Sequence, residues 1–262
     1  MLNKGEIMDK YKGKILCVTS GKGGIGKSIF AENLAGVYSY LKKKVLLIDM
    51  DLSSGGISVM LNLPKGKTIY NLSDDFLNNR FKEHDIYVYH YNEYIDVLPS
   101  CKDPREGNKI DSKILEQIIT VYQNYYDVII LDTTHTPINA TLLSIDISDK
   151  ILFMISDNPV DLKNTANLMT IFENVNKKNI KVILNNSYNL EKNYFKRFDI
   201  KSLINHNIDY ILPNSMYIKN INNYLMEGKI LVLNEKLSFK SESDRELMIK
   251  MAKDFIGDDS EK

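Results

Sequence analysis

The sequence predicts an α/β fold, a mostly parallel twisted sheet flanked by helices, and three observations predict it. Short apolar runs of strand length alternate with helical periodicities from residue 14 almost to the C-terminus, the pattern of repeated βαβ units. A glycine-rich segment at residues 21–28 joins the first run to the first helical stripe. Two later runs end in aspartate, at Asp49 and Asp132, so each brings a carboxylate to one edge of a parallel sheet. With 262 residues the chain can bury a full core and sits near the upper size of one domain. No internal repeat, linker or low-complexity stretch divides it, so residues 1–262 read as a single domain with a short extension at 1–12 and an acidic tail at 257–262.

Residues 14–19, Lys-Ile-Leu-Cys-Val-Thr, form a run of buried-strand type, and Phe30, Leu34, Val37 and Leu41 then fall on one helical face. The second strand is 44–49. Residues 62–92 are polar and irregular and predict short helices only. A strand follows at 94–99, then a helical stripe of Ile114, Leu115, Ile118, Ile119 and Tyr122, then a central strand at 127–132. Further strands are expected at 150–156, 181–185 and 209–213, separated by helices near 160–175, 191–205 and 216–226. The last helix, 239–256, places Met248, Met251, Ala252, Phe255 and Ile256 on one side.

Residues 21–28 read Gly-Lys-Gly-Gly-Ile-Gly-Lys-Ser and fit G-x-x-x-x-G-K-[ST], the phosphate-cradling P-loop. Gly21, Gly23, Gly24 and Gly26 let the backbone reach positive φ and approach a ligand with no Cβ in the way. Successive N–H groups then form a concave anion site, to which the following helix adds its unpaired N–H groups and dipole. Lys27 supplies a mobile charge for the β- and γ-phosphates, and the Ser28 hydroxyl is a ligand for Mg²⁺. Ile25 and Ile29 complete the expected nucleotide-contacting set. A second lysine, Lys22, directly follows the first glycine and narrows the motif to the deviant Walker A type of P-loop NTPase.

A P-loop needs acidic partners. Residues 128–132, Val-Ile-Ile-Leu-Asp, match the Walker B pattern, and Asp132 would orient Mg²⁺ through water; a turn-capping aspartate is the bland alternative. Asp49 and Asp51 lie two residues apart, so on extended chain their side chains share a face. Asp49 is expected nearer the metal, and Asp51 is expected to position or polarise the attacking water. For the base, Asn186 at the end of a late strand offers an amide donor and acceptor that suit adenine, although Asn is equally a turn residue. The Asn-Lys-x-Asp signature of guanine binders is absent, which favours ATP. His135 follows the Walker B strand and reads either as a sensor or interface residue or as an ordinary loop histidine.

Thirty-four basic residues balance thirty-four acidic ones, so no global basic field advertises nucleic acid or an anionic membrane. Cys17 and Cys101 make no zinc or C-x-x-C spacing, which points to a reducing compartment. The first residues lack the apolar core of a signal peptide, and no run reaches transmembrane length, so a cytoplasmic protein is expected.

Together these segments resemble the MinD/ParA superfamily of deviant Walker A ATPases. Within it they look most like the CpaE/TadZ pilus-assembly branch, on the strength of 49–55, Asp-Met-Asp-Leu-Ser-Ser-Gly, and of Asp132-Thr-Thr-His135 with Ala-Thr-Leu-Leu at 140–143. Ile211-Leu-Pro-Asn-Ser and the segment 220–228 add to that likeness. The resemblance implies an ATP-dependent homodimer that sandwiches two nucleotides, with Lys22 reaching across to the partner's phosphates. Hydrolysis would reset the dimer, acting as a timer for spatial organisation. It also implies pilus or secretion-system proteins as partners and recruitment by them to the membrane or pole, with DNA partitioning as the alternative. A metabolic or iron–sulfur relative on the same fold is a further alternative, but neither cysteine sits in a cluster-binding motif. The chain departs from its likeness in three ways. Only about a dozen residues precede the first strand where that branch usually carries a receiver-like domain. The last helix mixes both charge signs, and its apolar stripe is expected to pack in the core rather than to anchor the chain to a membrane. Ile29 stands where many relatives have Thr, removing one α-phosphate contact.

Overall fold

Strand and helix alternate along the chain as the sequence predicts. The structure, a computed structural model, describes residues 12–187, 195–234 and 241–257. The expected N-terminal extension and acidic tail therefore lie almost wholly outside the described residues. The first half comprises β1 (Lys14–Ser20), α1 (Lys27–Tyr40), β2 (Val45–Asp49), α2 (Ile57–Met60), α3 (Ile69–Leu77), β3 (Tyr89–His90), β4 (Ile95–Leu98), α4 (Pro104–Gly107), α5 (Ser112–Tyr122) and β5 (Val128–Asp132). The second comprises α6 (Asn139–Ile147), β6 (Lys150–Ile155), α7 (Pro159–Asn174), β7 (Ile180–Asn185), α8 (Arg197–Ile204), β8 (Tyr210–Leu212), α9 (Ile221–Leu225) and α10 (Glu242–Ile256).

The described strands form one sheet in the order β3-β4-β2-β5-β1-β6-β7-β8. Every neighbouring pair is parallel except β3 with β4. Alternate side chains of each strand leave on opposite faces, so a sheet covered on both sides needs apolar residues throughout. Leu16, Val18, Leu47, Ile130 and Leu152 pack with Phe30, Leu34 and Val37 of α1 and Met248, Met251 and Phe255 of α10. Ile15, Leu46, Ile48, Ile129 and Leu131 pack instead with Leu115, Ile118, Ile119 and Tyr122 of α5. A third cluster joins Ile151, Phe153 and Ile155 of β6 to Leu162, Met169 and Phe172 of α7.

The structure adds to the sequence reading between residues 62 and 92, where α3 carries a Thr68 capping box and β3 makes a short antiparallel edge. Helix α6 is also new; its mixed polarity hides any apolar stripe. The helix expected near 216–226 is only α9, because Asn220 takes the left-handed conformation at φ 57° and interrupts it. The helix expected near 191–205 is α8 from Arg197, with 191–194 outside the described residues. Among the described residues no helix is long and apolar enough to cross a membrane.

Candidate functional site

Strand β1 lies between β5 and β6, and the chain leaves it toward β2 on one side but reaches β6 on the other. The crevice beyond its carboxyl end is thus a topological switch point, the usual ligand position in open α/β sheets. Ser20 closes β1, Asp49 closes β2, Asp132 closes β5 and Asn185 closes β7. Asp49 and Asp132 are paired in the β2–β5 register.

The loop at 21–28 is shaped by its own glycines and by three side chains. Gly26 is the N-cap of α1 at φ 92° and Gly24 has φ 76°, both conformations that L side chains rarely adopt. Gly21 and Gly23 are needed for space instead: a Cβ at Gly21 would lie 3.3 Å from Asn164 Cβ, and one at Gly23 would lie 3.3 Å from the His135 ring. The Ser20 hydroxyl donates to the Lys22 carbonyl at 2.8 Å, Asn164 Nδ2 to the Gly21 carbonyl at 3.2 Å, and Asn185 Nδ2 to the Ile25 carbonyl at 2.8 Å. These bonds fix three of the loop's carbonyls, at Gly21, Lys22 and Ile25.

Beneath the loop lies a concentration of buried ionisable groups. Lys27 is only 9% exposed, and burial pulls its ammonium pKa down while Asp132, Asp51 and Asp161 pull it back up. Burial pushes the Asp132 carboxyl up to about 6, against a hydrogen bond from Ser28 and the charge of Lys27. Its Oδ1 is buried with no partner among the described residues. Asp49 is fully buried, and its two oxygens accept the Asp51 and Ile57 N–H groups, each at 3.1 Å. Burial, then the nearby Asp132, holds the Asp49 carboxyl well above the usual range. The expected metal contact of Asp49 therefore meets a carboxylate already engaged in shaping the turn that carries Asp51. Asp51 is half-buried, and its Oδ1 accepts the Ser53 and Ser54 N–H groups at 3.3 and 3.0 Å.

An Mg²⁺ ion fits this donor set. No group of three or more His, Cys, Asp or Glu side chains among the described residues could hold a metal alone. Ser28 with the unpartnered Asp132 Oδ1 suits an ion that keeps water and phosphate oxygens as its other ligands.

Two residues not anticipated from the sequence also stand here. Glu32 of α1 is 2% exposed, and burial with the fields of Asp132 and Asp49 pushes its carboxyl up to about 9. Its signal was a charge on the core-facing side of the first helix. Asp161 of α7 is fully buried and accepts from the Ser156 N–H and hydroxyl at 2.6 and 2.8 Å; nothing in its local sequence distinguishes it from a helix-start aspartate. His135 is exposed beside Gly23.

Past the loop, a cavity of about 410 Å³ runs beside Gly24, Gly26 and Ile29, with Leu212, Tyr217 and Met248 in its far wall. Asn185 and Ser187 line it on the β7 side. Asn186, the expected base reader, binds the Leu212 carbonyl through its N–H at 2.9 Å, and its side-chain Oδ1 is buried without a partner among the described residues.

A model of the AAA domain family matches residues 13–185. An ATP-binding protein of Methanocaldococcus jannaschii is 25% identical over 171 residues, 65% of this chain and 64% of that protein. The septum site-determining protein MinD of Bacillus subtilis is 25% identical over 122 residues, 46% of this chain and 44% of that protein. The match thus spans less than two-thirds of the length of either relative. Among solved structures, a ParA family ATPase from Chlorobium tepidum superposes with a TM-score of 0.77 at 20% identity, covering 91% of this chain and 98% of that one. MinD of Pyrococcus horikoshii complexed with Mg-ADP gives 0.73 at 21% identity, covering 92% and 95%. Both share the fold of this chain.

Proposed function

The chain belongs to the AAA domain family, and on that premise, with its likeness to MinD, we propose that it is a MinD/ParA-type, ATP-driven dimeric switch that positions cell-surface machinery. One observation carries this reading: Ser28 bonded to a buried Asp132 whose Oδ1 has no partner among the described residues, beside a glycine loop that lines a cavity of about 410 Å³. In this reading the loop N–H groups and Lys27 hold the triphosphate. Ser28 and Asp132 hold Mg²⁺, which would neutralise charge on the phosphate oxygens. Asp51, standing on a turn that Asp49 shapes, positions the attacking water and takes its proton. Lys22, at the rim, offers its charge to the phosphates of a second copy, where two facing triphosphates repel unless cations intervene. The apolar cavity receives adenine.

Support for a spatial role comes from relatives named for septum site determination and from the antiactivator FleN of Pseudomonas aeruginosa, 22% identical over 161 residues. The motif likeness at 49–55 and 132–143 favours pilus assembly among such roles. Calorimetry with Mg²⁺ and ATP tests the switch directly: binding followed by an ATP-dependent doubling of mass in light scattering is expected. Absence of any ATP interaction overturns it. A salt-sensitive mobility shift of duplex DNA in the presence of ATP would replace the pilus role with partitioning.

A further inference from the structure

The turn that carries Asp51 is held from outside, by a residue just past the end of β4. There the chain runs through Pro99 to Ser100, which is 5% exposed. The Ser100 hydroxyl donates to the Asp51 carbonyl at 2.6 Å, and the Gly55 N–H donates to the same oxygen at 3.0 Å. The second of these bonds closes the turn 51–55. Gly55 stands at φ 44°, and a Cβ on it would lie 2.7 Å from Ser100 Cβ. Ser100 therefore meets both ends of the turn, with its hydroxyl at Asp51 and its Cβ against Gly55. The other anchor is on β2, where the Asp49 carboxylate accepts the Asp51 and Ile57 N–H groups. The peptide planes on either side of the Asp51 Cα are thus fixed independently, one through its N–H and one through its C=O. Together they set where the Asp51 carboxylate stands.

We propose that Ser100 is a positioning residue for hydrolysis, whose hydroxyl sets the pose of Asp51 toward the attacking water. The inference rests on the nucleotide-switch reading above. Loss of this hydroxyl leaves the Asp51 carbonyl its bond from Gly55, so the fold gives up little. A small misplacement of a group that orients a reactant costs rate far more than stability.

The test joins phosphate release with Mg²⁺ and ATP, ATP affinity by calorimetry, and hydrogen exchange of the peptide spanning 50–57 in nucleotide-free protein. Ser100→Ala should bind ATP as the wild type does and lower kcat about tenfold at unchanged KM. It should also speed exchange of that peptide about tenfold, the size of one lost hydrogen bond. Asp51→Asn keeps the side-chain oxygen that accepts the Ser53 and Ser54 N–H groups. In that background Ser100→Ala should lower release no further, because the two residues act as one unit. Wild-type kcat, or wild-type exchange over 50–57, overturns the proposal. So does a tenfold loss that persists beside Asp51→Asn, since Ser100 would then act elsewhere. If Ser100→Ala exchanges fast throughout the sheet, Ser100→Cys decides, because it keeps the shape with a weaker donor. It should show the same pattern at about threefold, and wild-type exchange over 50–57 there also overturns the proposal. A wild-type protein that binds no ATP overturns the switch reading and this proposal with it, whereas normal ATP turnover unaffected by Ser100→Ala overturns this proposal alone.

Discussion

The crevice over β1 has two sides, and they are held together differently. On the side of β1, β2 and β5, the wall is built of buried ionisable groups: Lys27, Asp49, Asp132 and Glu32 are all at most 9% exposed. On the side of β7, β8 and α10, the cavity wall is largely apolar, with Leu212, Ile218 and Met248 among its residues. The first kind of wall fixes positions to within a hydrogen bond; the second fixes volume and excludes water. The family match ends at residue 185, where one kind of wall gives way to the other. Chemistry that must be held in register is written in specific residues, whereas a base pocket can be built from many apolar ones.

This contrast is open to attack at several points. Asp51→Ala should leave ATP-bound dimers intact but lower phosphate release about a thousandfold, within the range for a lost general base; wild-type release would remove Asp51 from the charged side. Lys27→Ala should weaken ATP and tripolyphosphate alike by about 100-fold in calorimetry, since a charged contact to phosphate is lost. Lys22→Ala should bind ATP normally but dimerise about tenfold more weakly by light scattering, and an unchanged dimer would confine Lys22 to its own subunit. Tyr217→Ala, in the apolar wall, should weaken ATP about fivefold and leave tripolyphosphate untouched; an equal loss of both would break the distinction between the two sides. The smallest effect is on stability. Gly36→Ala places a Cβ 2.5 Å from Val232 Cγ2 and 2.8 Å from Ile230 Cγ2, and overpacking of that kind should cost about 1–3 kcal/mol in chemical unfolding.

The same contrast explains what could be read in advance. Strands ending in Asp49 and Asp132, and the lysines and serine of residues 21–28, are legible because few roles require those residues at that spacing. The parallel sheet was legible because two-sided burial demands unbroken apolar runs such as residues 128–131. Short elements escaped: β3 has two residues, too few for any periodicity to register. Asn185 escaped for another reason. In Leu-Asn-Asn-Ser nothing local tells which asparagine meets the loop; the choice is made by the pairing of β6 with β7, which sets Leu184 opposite Ile155 and brings Asn185 beneath Ile25. Glu32 and Asp161 become notable only when burial is known.

Helix α1 touches both walls: its first residue is Lys27, and two turns later the Asn33 Oδ1 accepts the Val232 N–H at 3.0 Å, just before Gly36 leaves room for Ile230 and Val232. That makes the helix a chassis with a seat for an exchangeable part. Changes to the shape of the cavity can then be concentrated in the stretch 212–233, keeping the Asn33 latch and the Gly36 notch, while the residues at the start of the helix stay as they stand.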